Sequence, residues 1–97
     1  MNKEVNIYSE VILNNTVEKL KIQIMPHVVV KLYPGSSEEQ KSKLSQEITK
    51  AIMNIINKPE GAVSVAIEEV AENEWMEKVY DTEIRPNLEK LYKKPGY

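Results

Sequence analysis

Pro26 is the residue of this sequence whose chemistry depends most on its position in the chain. A proline at the start of a chain carries a secondary amine, which can take up a proton near neutral pH and return it. Inside a chain the same nitrogen is a tertiary amide and has no proton. In the printed sequence Pro26 follows 25 other residues. Its ability to act as a base therefore depends on whether its nitrogen becomes free.

The residues after Pro26 predict an α/β unit that could position such an amine. Residues 27–33 are rich in β-branched side chains and end at Pro34-Gly35, a pattern typical of a strand and a turn. The next twenty residues repeat apolar side chains every three or four positions, which predicts a helix. Residues 62–70 read as a second strand. Strand, helix and strand form a βαβ unit with parallel strands and a right-handed crossover.

The ends of the predicted elements carry capping and breaking residues. Ser36 or Ser37 is expected to cap the helix, with Glu39 or Gln40 three residues on as a capping box. The helix should end at residues 57–61. Farther on, residues 75–92 suggest two short helical pieces, with Pro86 at the break or in the first turn of the second piece. The tail from residue 93 onward is not expected to be helical.

A two-stranded sheet with one long helix leaves much apolar surface uncovered. Pairing two copies edge to edge gives a four-stranded sheet with two helices over one face. The pattern therefore predicts a homo-oligomer, most simply a dimer.

Composition excludes several classes of function. With 13 basic and 15 acidic residues, the net charge is −2, and no clustered basic face for nucleic acid is evident. The chain has no cysteine and one histidine, and no ligand-spaced cluster predicts a metal site. Its apolar runs are too short to span a membrane. We expect a cytoplasmic protein without nucleic-acid or membrane partners.

An ordered set of motifs carries a family resemblance. It comprises Met-Pro-His before a valine-rich strand, a Pro-Gly turn, a Ser-Ser-Glu-Glu-Gln-Lys helix start, an Ala-Val-Ser-Val-Ala-Ile-Glu-Glu-Val strand, and Trp75 soon after it. With the C-terminal Lys-Lys-Pro-Gly-Tyr, residues 26–97 resemble the 4-oxalocrotonate tautomerase family, and within it the PptA-like subgroup.

The resemblance implies a function and an assembly. Family members are βαβ proteins that form dimers or trimers of dimers, and they use an N-terminal proline without any cofactor. By resemblance, Pro26 is the catalytic residue. It would move a proton between the enol oxygen and the adjacent carbon of a small keto acid.

Two positions depart from the family pattern and bear on the substrate. Members that act on dicarboxylates carry an arginine after the first strand and another in the second strand, where this sequence has Ser36 and Ser64. Trp75 matches the aromatic wall of the family site. Trp75, Ser36 and Ser64 are thus the candidate substrate-binding residues. An apolar wall without the arginine pair fits a monocarboxylate or aromatic keto acid better than a dicarboxylate.

Simpler structural roles compete with these assignments. Ser36 is expected to be a helix cap rather than a substrate contact, and Ser64 fits strand packing. His27 is expected to be structural or interfacial. We interpret Lys31 as an exposed strand charge. Tyr33 could border the site, but packing in the core or in a dimer is the favoured interpretation.

Residues 1–25 form an extension before the tautomerase-like domain of residues 26–97. Leu20, Ile22 and Ile24 alternate with polar residues in phase with the strand after Pro26, which suggests a β-hairpin arm. The same stretch could instead be an upstream reading frame joined to a true start at Met25. Two alternatives to the enzyme remain: a non-catalytic relative whose extension blocks Pro26 and serves as an oligomerisation arm, and a binding module for an aromatic acid.

Overall fold

The computed structural model describes residues 24–97, which form the predicted βαβ unit. Strand β1 spans His27–Leu32, helix α1 spans Glu38–Ile56, and strand β2 spans Ser64–Glu69. The strands are parallel, and their register runs from His27 opposite Ser64 to Leu32 opposite Glu69. The mixed α/β fold is therefore confirmed, with β2 slightly shorter than predicted because Ala62 belongs to a short 3₁₀ turn, Glu60–Ala62.

Helix α1 begins at a residue that satisfies free backbone groups and ends at one in the left-handed conformation. Ser37, not Ser36, is the N-cap: its side chain accepts a hydrogen bond from the backbone N–H of Gln40 at 3.0 Å. The Gln40 side chain in turn accepts from the backbone N–H of Ser37 at 2.9 Å, which completes the capping box. After Ile56, Asn57 adopts the left-handed conformation (φ 61°) that commonly ends helices.

The two faces of the sheet have different surroundings. Val28, Val30 and Leu32 are half-buried, whereas His27 and Val29 on the other face are exposed. On β2, Glu69 shares the face of Leu32 and forms an ion pair with Lys41 of α1 at 3.1 Å. Helix α1 therefore lies over the face that holds Val28, Val30 and Leu32. On the opposite face, Lys31 forms an ion pair with Glu83 of the C-terminal segment.

The C-terminal segment consists of short helical pieces, as the sequence predicted. A 3₁₀ turn at Glu72–Glu74 leads into a π-helix at Met76–Ile84, which is followed by a 3₁₀ helix at Arg85–Lys90. Pro86 lies in the first turn of this last piece, where its missing N–H costs no hydrogen bond. The remaining residues to Tyr97 are not helical.

Little of the described chain is buried. Among residues 24–97 only Ala62 and Val79, each 5% exposed, count as buried apolar side chains. Large apolar side chains such as Ile55 and Ile56 at the end of α1 remain exposed. This sparse interior is what the sequence led us to expect of a unit that pairs with another copy, although the pairing itself remains a prediction.

The predicted hairpin arm falls mostly outside the described residues. Of the alternating set, Leu20 and Ile22 lie outside them, while Ile24 lies in a turn and is 75% exposed. Strand β1 begins only at His27.

Candidate functional site

Pro26 and Ser64, two of the predicted site residues, lie together at the start of the sheet. The backbone N–H of Ser64 donates to the carbonyl oxygen of Pro26 at 3.1 Å. The Ser64 hydroxyl and His27 Nδ1 are 2.6 Å apart and share a hydrogen bond across the two strands. Parallel pairing of β1 and β2 thus holds Pro26, His27 and Ser64 together at one end of the sheet.

Trp75 lies at the other end of the sheet and forms one wall of a cleft. Its ring meets the ring of Tyr33 edge to face, with centroids 5.2 Å apart. The indole N–H donates to the hydroxyl oxygen of Tyr97 at 3.1 Å. These contacts fix the position of Trp75. Its indole N–H is hydrogen-bonded, and part of its ring surface remains accessible to a ligand. The cleft measures about 650 Å³ and is lined by Lys31, Leu32, Tyr33, Pro34, Gly35, Ser36, Trp75, Met76 and Tyr97.

Ser36 also lines this cleft, so our expectation that it acts as a helix cap was wrong. The neighbouring Ser37 takes that role because its extended backbone (φ −73°, ψ 162°) directs its hydroxyl at the Gln40 N–H. Ser36 is left half-buried, one residue before the cap. Its hydroxyl is therefore available to the cleft.

Within one chain, the structure does not bring Trp75 and Ser36 to Pro26. Seven residue steps separate Pro26 from Tyr33, the contact of Trp75, and an extended strand advances about 3.3 Å per residue. The two groups of predicted site residues are thus roughly 20 Å apart, at opposite ends of β1. A site that uses both groups must combine two copies of the chain.

The sequence interpretation missed two residues of the cleft, Lys31 and Tyr97, and it favoured packing over a place at the site for Tyr33. All three line the cleft. The available signal was the strand alternation, which places Lys31 and Tyr33 on the same face of β1 at its C-terminal end. Nothing in the local pattern indicated that the tail would return to this end.

The cleft carries one cation. The Lys31 ammonium forms an ion pair with the Glu83 carboxylate of the π-helix, and the hydrogen bond to Glu83 raises the pKa of Lys31 above its usual value. Partial desolvation opposes this rise, and the charges of Glu83 and Glu68 support it. Lys31 therefore stays protonated at neutral pH.

The described residues offer neither a metal cluster nor a helix that spans a membrane. In the part of the chain that the structure describes, no three His, Asp or Glu side chains are arranged to hold a metal ion. No helix of residues 24–97 has both the length and the apolar character to cross a bilayer.

Known proteins resemble the chain in sequence and in fold. The family model described as Tautomerase enzyme matches residues 26–80. Tautomerase PptA of Enterobacter sp. strain 638 is 43% identical over 74 residues, which cover 75% of this chain and 97% of that protein. A probable tautomerase of Xylella fastidiosa strain 9a5c is 38% identical over 73 residues, covering 75% and 89%. The solved structure of TomN, a 4-oxalocrotonate tautomerase homologue in the tomaymycin biosynthetic pathway, matches with a TM-score of 0.51 and 30% identity, covering 52% of this chain and 77% of TomN.

Proposed function

The chain belongs to the tautomerase family, and we propose that it interconverts the enol and keto forms of a small 2-keto acid, with Pro26 as general base and general acid. The observation that carries the proposal is that the family match begins at Pro26, the residue whose amine can do this chemistry when it is free. A monocarboxylate or aromatic acid fits best, because the cleft is lined by rings and the two positions expected to hold arginines are Ser36 and Ser64.

The proposed reaction moves one proton and needs no oxidant, reductant or cofactor. The free Pro26 nitrogen takes the proton of the enol hydroxyl, and the C–O bond becomes a carbonyl. The electron pair of the C=C bond then takes the same proton from the Pro26 ammonium at the adjacent carbon. An α-amino group has a pKa near ~8 in water, and an apolar site lowers it by disfavouring the charged form. The amine can then act as a base at neutral pH.

We further propose that two copies pair through antiparallel β1 strands, so that each site is shared. Within residues 24–97 strand β1 pairs only with β2, which leaves its other edge available. If both helices lie on one face, residues of the same face must lie opposite each other. A register centred on Val29 then places Pro26 opposite Leu32 of the second copy, beside that copy's cleft. This arrangement removes the roughly 20 Å gap between Pro26 and Trp75.

The test compares three proteins in an assay of enol ketonisation with phenylpyruvate: a chain that starts at Pro26, the full 97-residue chain, and a Pro26→Ala variant of the first. We expect the Pro26-start chain to accelerate the reaction. The alanine variant keeps a terminal amine, but a primary one without the ring that positions it, and should lose most of the rate. The full chain should be inactive, because its Pro26 nitrogen is an amide. Equal activity of the full and Pro26-start chains would refute a role for the Pro26 amine.

The intact mass of the protein expressed from its own upstream DNA decides which form is relevant. A mass for residues 26–97 supports the enzyme. A mass that includes residues 1–25 favours the alternative, a non-catalytic tautomerase-fold protein whose extension blocks Pro26 and serves as an oligomerisation arm.

A further inference from the structure

Lys31 differs from the other residues of the cleft because it brings a positive charge to an aromatic surface. It follows Val30 on β1, and its side chain, 30% exposed, lies on the sheet face opposite α1. The rings of Tyr33 and Trp75 lie in the same cleft. The ammonium therefore sits at the rim of a surface that suits a planar aromatic molecule.

The Lys31 ammonium can still donate hydrogen bonds to a ligand. A lysine has three N–H donors, and the Glu83 carboxylate, whose side chain is half-exposed, engages it from one side. Ion pairs between such exposed side chains contribute little to stability, so a ligand carboxylate can join or replace Glu83 at low cost. The carboxylate of Glu68, opposite Lys31 on β2, adds negative potential that a bound anion must overcome.

Arg85 does not offer a second cation for a carboxylate in the cleft. Arg85 is the single arginine of the sequence, and it is ion-paired with Asp81 and lies 5.8 Å above the Tyr80 ring. It does not line the cleft. Among the residues that line the cleft, Lys31 carries the only positive charge. Ser36, which has a hydroxyl group, also lines the cleft.

We propose that Lys31 binds the carboxylate of a small aromatic acid whose ring packs against Trp75 and Tyr33. This inference rests on the proposed function, and it names the residue that replaces the missing arginine pair in substrate recognition. A single ammonium binds one carboxylate, whereas two guanidinium groups are needed to hold both ends of a dicarboxylate. Lys31 thus selects monocarboxylates. A cleft of about 650 Å³ has ample room for such a ligand.

The test measures ligand binding rather than turnover, so it does not depend on the state of Pro26. The full 97-residue chain is titrated with 3-phenylpropionate and with its neutral amide, which has the same ring and nearly the same shape. Trp75 is the single tryptophan of the sequence, so its fluorescence reports directly on the cleft. Four variants are compared with the unaltered chain: Lys31→Gln, Lys31→Arg, Glu83→Gln and Lys43→Gln. The last removes an equal charge from α1, where Lys43 pairs with Glu47.

The affinity for the acid should change in opposite directions when Lys31 and Glu83 are substituted. Lys31→Gln should weaken binding of the acid about ten- to a hundredfold, the usual effect of losing a hydrogen bond to a charged group, and leave the amide unchanged. Lys31→Arg should retain most of the affinity. Glu83→Gln should tighten binding of the acid, because a competing carboxylate is removed. Lys43→Gln should change neither ligand.

Other results overturn the inference. Equal loss of acid and amide in Lys31→Gln would mean that Lys31 only supports the shape of the cleft. Undiminished binding of the acid in Lys31→Gln, or no binding of the acid to the unaltered chain, would exclude the ammonium as its anchor. The proposed function fails separately: a Pro26-start chain that binds the acid through Lys31 but shows no ketonisation would leave this inference standing and refute the enzyme.

Discussion

Two variants that are each strongly impaired should restore activity to one another when mixed, because the proposed site takes Pro26 from one copy and Trp75 from the other. The variants are Pro26→Ala and Trp75→Ala, both in a chain that starts at Pro26. Each alone has a defect in every site of its own dimer. In a mixed dimer, one of the two sites combines the intact Pro26 of one chain with the intact Trp75 of the other.

The size of the recovery follows from this geometry. Random pairing of equal amounts makes about half of the dimers mixed, and each mixed dimer holds one intact site out of two. The mixture should therefore regain about a quarter of the unaltered activity, above the background of the two variants. A site contained within one chain predicts no recovery, because every chain then carries its own defect. The roughly 20 Å between Pro26 and the Trp75 cleft along β1 favours the first outcome.

The assay is enol ketonisation after the two variants have been unfolded in urea together and refolded. Native mass spectrometry of the same sample, with one variant isotopically labelled, counts the mixed dimers. Mixed dimers without recovered activity would refute the shared site. The absence of any dimer would refute the pairing that produces it.

Three further predictions test the pairing and the packing. Val29→Cys should form a disulfide-linked dimer on oxidation, because residues directly opposite in an antiparallel pair have Cα atoms about 4.5–5.5 Å apart. The control, Ser42→Cys on α1, should not form one. Non-reducing electrophoresis distinguishes the two, since the chain has no other cysteine. Val79→Ala should lower the free energy of unfolding by about 1.5 kcal/mol in urea denaturation, from two lost methyl groups at a 5% exposed position, and an unchanged midpoint would contradict its burial. Ser37→Ala should cost about 1 kcal/mol by removing the α1 cap, whereas Ser36→Ala should cost much less; equal losses would contradict the assigned cap.

The sequence predicted those parts of the fold that depend on neighbouring residues. The start of α1 follows from Ser37 and Gln40, three positions apart, and its end from Asn57, which tolerates the left-handed conformation. Strand alternation is enough to put Val65 and Ile67 on one face of β2, and the register sets them opposite Val28 and Val30. Each of these features is decided within a few residues, where intrinsic preferences and capping act.

The arrangement of the cleft depends instead on contacts between distant parts of the chain. Lys31 and Glu83 are 52 residues apart, and Trp75 and Tyr97 are 22 apart. The path of the C-terminal segment decides whether they meet, and a π-helix within it alters the angular spacing of side chains from that of an α-helix. The family resemblance named Pro26 and Trp75 together as candidate site residues, and only the fold revealed that one chain keeps them apart.

The small interior of the protomer implies that enzyme activity depends on the concentration of the protein. With only Ala62 and Val79 buried among residues 24–97, much of the free energy that stabilises the fold must come from surfaces covered by a second copy, if the chain pairs as proposed. Mass action then governs folding, and the melting temperature rises with protein concentration. Dilution would dissociate the dimer, so that the shared sites and the fold would be lost together. The activity per molecule would thus depend on how much protein the cell makes.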